Sequence, residues 1–153
     1  MAPITAVELA QQEACFARAF ANADLELARP LYHPEVVYLS PTVRLFDWPQ
    51  SITGVERTLE FISLTIARCR AITYRVEESA LLAGNAAFVR IHFDWTREGR
   101  RLRSNYVVVY RYREARIGQQ EIYYDPSGEL EVLEGPALSP GAGAPARAPG
   151  TSR

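Results

Sequence analysis

Residues 86–97 read AAFVRIHFDWTR, and they alternate. Ala87, Val89, Ile91, Phe93 and Trp95 fall on one side of an extended chain, and Phe88, Arg90, His92 and Asp94 on the other. A period of two in β-branched and aromatic residues predicts a strand whose first face lies on the core. The pattern extends in both directions, from Ala71 to Asp125. Ile72, Tyr74 and Val76 alternate with polar neighbours upstream, and RLRSNYVVVYRYR (101–113) and IGQQEIYYD (117–125) follow downstream. Gly84-Asn85, Glu98-Gly99 and Glu114-Ala115 read as turns between them. Long consecutive strands joined by short turns predict an antiparallel meander, and strands of this length coil as they twist.

The helical periodicity lies upstream. Leu9, Phe16 and Phe20 predict a helix over Thr5–Ala21, with Gln11, Gln12 and Arg18 off its apolar side. Asp24 can cap a short second helix, apolar at Leu27 and Leu31, which Pro30 should kink or tighten to 3₁₀. His33-Pro34-Glu35 should end it, with His33 serving the helix end. VVYLS (36–40) reads as a strand and Val43–Phe46 as another short one. Thr53 and Glu56 match a capping box for a third helix with Val55, Leu59, Ile62 and Ile66 on one face. Helices first and strands after predict an α+β domain over residues 1–133. Its sheet is a cone-shaped, curved antiparallel layer packed on three N-terminal helices, open at one end as a pocket. Residues 134–153, rich in Pro, Gly and Ala, read as a disordered tail.

Bulk properties narrow the function. At 153 residues the chain makes one domain, and a net charge of −1 without a basic block argues against a nucleic-acid partner. The basic residues are all Arg, which we read as coding bias. No stretch approaches the ~20 apolar residues of a membrane span, and MAPITAVELAQQEA shows no secretory pattern, so a cytoplasmic location is expected. Cys15 and Cys69 then read as free buried thiols. Two His and two Cys, all far apart, predict no metal site. The absence of phosphate-binding motifs predicts no nucleotide cofactor.

The candidate site residues are aromatic and acidic. Tyr32, Tyr38, Trp48, Trp95, Tyr106 and Tyr124 could line a pocket for a flat molecule, with Asn105 and Gln120 as polar anchors; the alternative is ordinary core packing. Asp125, after Tyr124 at the end of the last strand, is the candidate general base; alternatively Asp125-Pro126-Ser127-Gly128 is only a turn. If Gln120, Ile122 and Tyr124 point inward, Asp125 points outward unless a bulge intervenes. His92 with Asp94 could form a base and its orienting acid, or a solvated or dimer-interface cluster with Arg90.

The strings FARAFANADLELARPLYHPEVVYLSP (16–41), TGVERTLEFI (53–62) and YRYREARIGQQEIYYDP (110–126) carry a family resemblance. Over Val7–Pro126 the chain resembles the nuclear transport factor 2-like superfamily, in its SnoaL-like branch. The resemblance implies an α+β cone, usually a homodimer, in a superfamily that holds ketosteroid isomerases, polyketide cyclases, epoxide hydrolases, dehydratases and non-catalytic binding modules. Where the isomerase pattern has a tyrosine, a base aspartate and an aspartic acid, this chain has Phe16, Ser40 and about Val108. Where the limonene-epoxide hydrolase pattern has its Arg and Asp residues, it has Ile91, Phe93 and Ile122. The base aspartate of SnoaL-type cyclases aligns with Asp125, while their pocket histidine falls in Thr96-Arg97-Glu98 and has no match. The function implied is a cofactor-independent cyclase, isomerase or dehydratase acting on a hydrophobic, polyketide-like or terpenoid substrate. A ligand-binding or dimerisation module, and an epoxide-opening or hydrolytic enzyme, are the alternatives.

Overall fold

Local chemistry sets the first elements. The computed structural model of the protein describes residues 2–103, 105–124 and 131–132. Helix α1, Ala6–Ala21, starts on a capping box: the Thr5 hydroxyl accepts from the Glu8 backbone N–H, and the Glu8 carboxylate accepts from that of Thr5. A 3₁₀ helix, Leu25–Leu31, follows as Pro30 demands, with Asp24 accepting from the Glu26 N–H. Strand β1, Tyr32–Leu39, starts before His33, so His33 lies in a strand and not at a helix end.

Residues 43–46, expected as a strand, belong to a second 3₁₀ helix, Pro41–Phe46. Pro41 fixes the backbone at its first turn and Ser40 caps it by accepting from the Thr42 N–H. Strand β2, Ser51–Thr53, then leads into helix α2, Val55–Ile66. The expected Thr53 cap does not form. Thr53 is paired with Val37 in the sheet, and Gly54 holds the N-cap position at φ +95°, a conformation costly to any residue with a Cβ.

The remaining strands are β3 (Arg70–Leu82), β4 (Ala86–Arg97), β5 (Arg100–Arg103), β6 (Tyr106–Arg113), β7 (Arg116–Tyr123) and β8 (Glu131–Val132). The turns at Glu98-Gly99 and Glu114-Ala115 have positive φ at both residues, the backbone that matches strand twist in tight hairpins. The single strand expected over residues 101–113 is divided. β5 pairs with Asp94–Arg97 and β6 with Ala86–Ile91, both on the edge of β4 opposite β3.

The sheet is mixed, not antiparallel throughout. Its path runs β2-β1-β7-β6-β4, and β1 lies parallel to β7. Hairpin turns dictate antiparallel pairing between sequence neighbours. The β1–β7 contact joins strands far apart in sequence, and no local signal sets its direction. Register shifts bend the sheet: Glu77 is extra between the Val76–Ile91 and Glu78–Arg90 pairs, and Gly118 is extra opposite Arg111 and Tyr112. A Cβ on Gly118 would meet that of Arg113 at 3.0 Å, so the second bulge suits glycine.

The curved sheet wraps the helices. Ala87, Val89 and Ile91 are fully buried on its inner face beside Leu9, Phe16 and Phe20 of α1 and Leu59, Phe61 and Ile62 of α2. The outer face departs from the solvated expectation, because His92 and Asp94 are buried too. The Asp94 carboxylate is bonded to His92 Nε2 at 3.1 Å and accepts from the Arg101 guanidinium at 3.1 Å. Cys69 is buried and Cys15 half-buried, and neither is in a disulfide. No described helix is long and apolar enough to cross a membrane. The expected tail, 134–153, lies outside the described residues.

Candidate ligand-binding site

Between α1, α2 and the inner face of the sheet lies a cavity of about 220 Å³. Its walls are aromatic: Phe16 and Phe20 from α1, Phe46 beside α2, and Tyr74, Phe93 and Trp95 from the strands. The rings pack on one another, with Phe20 stacked on Tyr74 at 5.1 Å and Phe93 tilted against Trp95 at 5.4 Å. Leu45, also lining it, is 63% exposed, which puts that 3₁₀ helix at the mouth.

Of the residues singled out in the sequence, Tyr32, Tyr38, Trp95, Tyr106, Gln120 and Tyr124 line this cavity. Strand alternation delivers them: Gln120, Ile122 and Tyr124 all face inward. Trp48, Asn105 and His92 are not among the lining residues. Trp48 packs against Phe61 with the Arg57 guanidinium 4.5 Å from its ring, and Asn105 is exposed. His92 alternates with Ile91 and Phe93 and therefore lies on the outer face, where Asp94 and Glu77 flank it. The His92–Asp94 pair is thus separated from the cavity by the sheet. Asp125 lies outside the described residues.

The polar groups of the cavity are mostly tyrosine hydroxyls. Tyr32 donates to Gln120 Oε1 at 2.6 Å, and the hydroxyls of Tyr124 and Thr42 are bonded to each other. Tyr106 differs: among the described residues its hydroxyl has no hydrogen-bond partner. Burial pushes the hydroxyls of Tyr32, Tyr38, Tyr74, Tyr106 and Tyr110 well above the usual phenol range, so all are neutral at physiological pH.

One acidic residue that the sequence reading passed over sits behind this wall. Glu13 of α1 is 4% exposed. Its carboxyl accepts from Gln12 Nε2 at 3.1 Å and from the Tyr74 hydroxyl, and Tyr110 lies near enough to lower its pKa. Tyr112 in turn donates to Gln12 Oε1 at 3.0 Å. Burial raises the Glu13 pKa above the usual carboxylate range, against the pull of those hydrogen bonds. The signal was present in the sequence. Positions 9, 13, 16 and 20 step by four, three and four, so Glu13 occupies the apolar face of the helix.

Of the six positions that the resemblance sets against catalytic groups, Ser40 and Ile91 do not line the cavity and the other four do. Phe16, Phe93, Val108 and Ile122 line the cavity as apolar surface. Among solved structures, the chain is similar to a hypothetical protein with a ketosteroid isomerase-like fold from Catenulispora acidiphila in complex with trimethylamine. That match has a TM-score of 0.64 and 13% identity, over 76% of this chain and 87% of that one. It is also similar to a Mycobacterium tuberculosis epoxide hydrolase of the LEH-like type, with a TM-score of 0.61 and 16% identity over 78% and 84% of the two chains. A candidate polyketide cyclase from Sinorhizobium meliloti matches with a TM-score of 0.59 and 15% identity over 78% and 100%. At these identities the likeness shows the fold alone. No curated protein sequence matches the chain. The family model of the SnoaL-like domain matches residues 13–119, through both helices and most of the sheet, and the chain belongs to that family.

Proposed function

We propose that the protein is a cofactor-independent enzyme that folds a flat, largely apolar molecule in this cavity and moves a proton on it. The reaction class is cyclisation, isomerisation or dehydration of a polyketide-like or terpenoid substrate, in the cytoplasm. The observation that carries the reading is the Tyr106 hydroxyl, which faces an apolar cavity with no partner among the described residues. Tyr106 is partly buried, and an unpartnered hydroxyl in the wall of an apolar cavity is a donor that a substrate oxygen can take up. Neutral tyrosine donors in a dry site can polarise a carbonyl, and the aromatic walls would hold the substrate near its reactive conformer. Asp125, the residue after the lining Tyr124, would act as the base; β7 ends at Tyr123, so strand alternation does not oblige Asp125 to point outward.

A non-catalytic binding module is the second reading. It is favoured by Phe16, Phe93, Val108 and Ile122 standing as apolar wall where the resembled enzymes carry a tyrosine or acidic and basic groups. Either reading includes a twofold dimer through the outer face of the sheet. There Phe88 faces Val109 and Val107 faces Tyr123 in register, an apolar patch bordered in the same rows by Glu121 and Arg90, with Tyr123 54% exposed.

The test is a panel of polyketide-like and terpenoid ketones and alcohols, followed by mass spectrometry for turnover. Asp125→Asn should keep ligand binding and lose about 10² to 10⁴ in rate. Full turnover in the Asn variant would remove Asp125 from the mechanism. Binding without turnover across the panel would favour the module.

A further inference from the structure

The cavity has a charge preference that its aromatic lining alone does not reveal. No Arg, Lys or His is among its lining residues. Behind Tyr74 and Tyr110, both of which line it, sits the Glu13 carboxyl, and among the described residues the groups hydrogen-bonded to it, Gln12 and Tyr74, are neutral. Buried carboxylates ordinarily have a cationic partner. Arg75 of β3 lines a second pocket together with Glu13, but its side chain is 64% exposed and paired with Glu77 at 3.5 Å, so it faces the carboxyl from the solvent side.

An ionised Glu13 therefore places a negative charge behind the cavity wall, with no cation hydrogen-bonded to it among the described residues. Burial is the main cause that raises the pKa of Tyr74 on β3, of Tyr106, Tyr110 and Tyr112 on β6, and of Tyr32 on β1, and the nearby Glu13 charge acts in the same direction on each. The aromatic rings of Phe20, Phe93, Tyr106 and Trp95 line the same cavity, and aromatic rings attract organic cations through their negative quadrupole. Both contributions have the same sign.

We infer that the cavity takes neutral or positively charged ligands, an apolar body bearing an amine being the best fit, and excludes carboxylates and other anions, with Glu13 as the residue that sets this preference. The inference rests on the cavity being a ligand site. Glu13 acts through the field it places on the cavity, not by contact with the ligand. Two further consequences follow by linkage. A bound cation favours the ionised carboxyl, so cation affinity should rise with pH as Glu13 ionises. Anion affinity should fall over the same range.

The test uses three naphthalene probes whose charge does not change with pH: (2-naphthylmethyl)trimethylammonium, 2-naphthalenesulfonate and the neutral 2-acetylnaphthalene. Binding to the full chain is measured by calorimetry from pH 5 to 9. The ammonium should bind at least about tenfold tighter than the sulfonate at pH 8, and the ratio should narrow as pH falls. Glu13→Gln should shrink the preference to what the rings alone supply and abolish its pH dependence. Glu13→Asp, which keeps the charge, should retain them and so exclude a merely structural effect. Equal binding of cation and anion to the parent, or an unchanged preference in Glu13→Gln, would overturn the inference. Failure of the neutral probe to bind the parent would overturn the ligand-site reading, and this inference with it.

Discussion

Replacing Tyr106 with Phe should separate a hydroxyl kept for a ligand from one kept for the fold, when set beside the same change at Tyr32. Tyr32 donates to Gln120 at 2.6 Å, and both residues are buried. Tyr32→Phe leaves the Gln120 carbonyl oxygen without that donor in an apolar wall. An unsatisfied buried polar group costs ~1–3 kcal/mol. A loss of about 2 kcal/mol in a chain of this size lowers Tm by roughly 4–8 °C. Tyr106→Phe removes a hydroxyl with no partner among the described residues, so its effect on stability should be within about 0.5 kcal/mol. Its cost should appear only with ligand present. One lost hydrogen bond of about 1 kcal/mol weakens binding of a ketone such as 2-acetylnaphthalene about fivefold. Urea denaturation gives the first comparison and calorimetric titration the second. If Tyr106→Phe destabilises the free protein as much as Tyr32→Phe does, the Tyr106 hydroxyl has a structural partner and the reasoning fails.

Two other outcomes follow from the outer face of the sheet. Burial acts to raise the Asp94 pKa, but hydrogen bonds from His92, Thr73 and Arg101 outweigh it and hold the carboxyl below its ordinary range. The stability it contributes is therefore present above the unfolded aspartate pKa and lost as pH falls through the folded one. Asp94→Asn should cost about 1.5–3 kcal/mol at pH 7, and the gap should close in acid, as read by urea denaturation across pH. The apolar patch of Phe88, Val107, Val109 and Tyr123 should make light scattering report twice the 17.2 kDa chain mass at micromolar concentration. Val109→Glu should return it to a monomer; a parent that is already monomeric would remove the dimer.

The fold was legible wherever one local rule governed. Alternation in residues 86–97 identified the inner face, and Pro30 after Asp24 foretold a 3₁₀ helix. It was illegible where a distant partner decided. The parallel direction of β1 against β7 comes from chain crossover, and Thr53 lost its capping role because sheet pairing with Val37 claimed it. For the site, period two was enough to turn Gln120 and Tyr124 inward together. The burial of His92 and Asp94 was illegible because neither Arg101 on the next hairpin arm nor Glu77 at a bulge can be placed by sequence spacing. Glu13 went unread for a different reason. A charged residue on an apolar helix face reads as a fault in the pattern until the Tyr74 and Tyr110 hydroxyls are seen around it.

The central claim is that the cavity holds a small molecule by its aromatic walls and the Tyr106 hydroxyl. A crystal structure of the protein soaked with 2-acetylnaphthalene tests it most directly. The account predicts the rings lying among Phe20, Phe93 and Trp95, with the ketone oxygen about 2.5–3.0 Å from the Tyr106 hydroxyl. A cavity closed by its own side chains, or a probe found only on the outer face of the sheet, would contradict it.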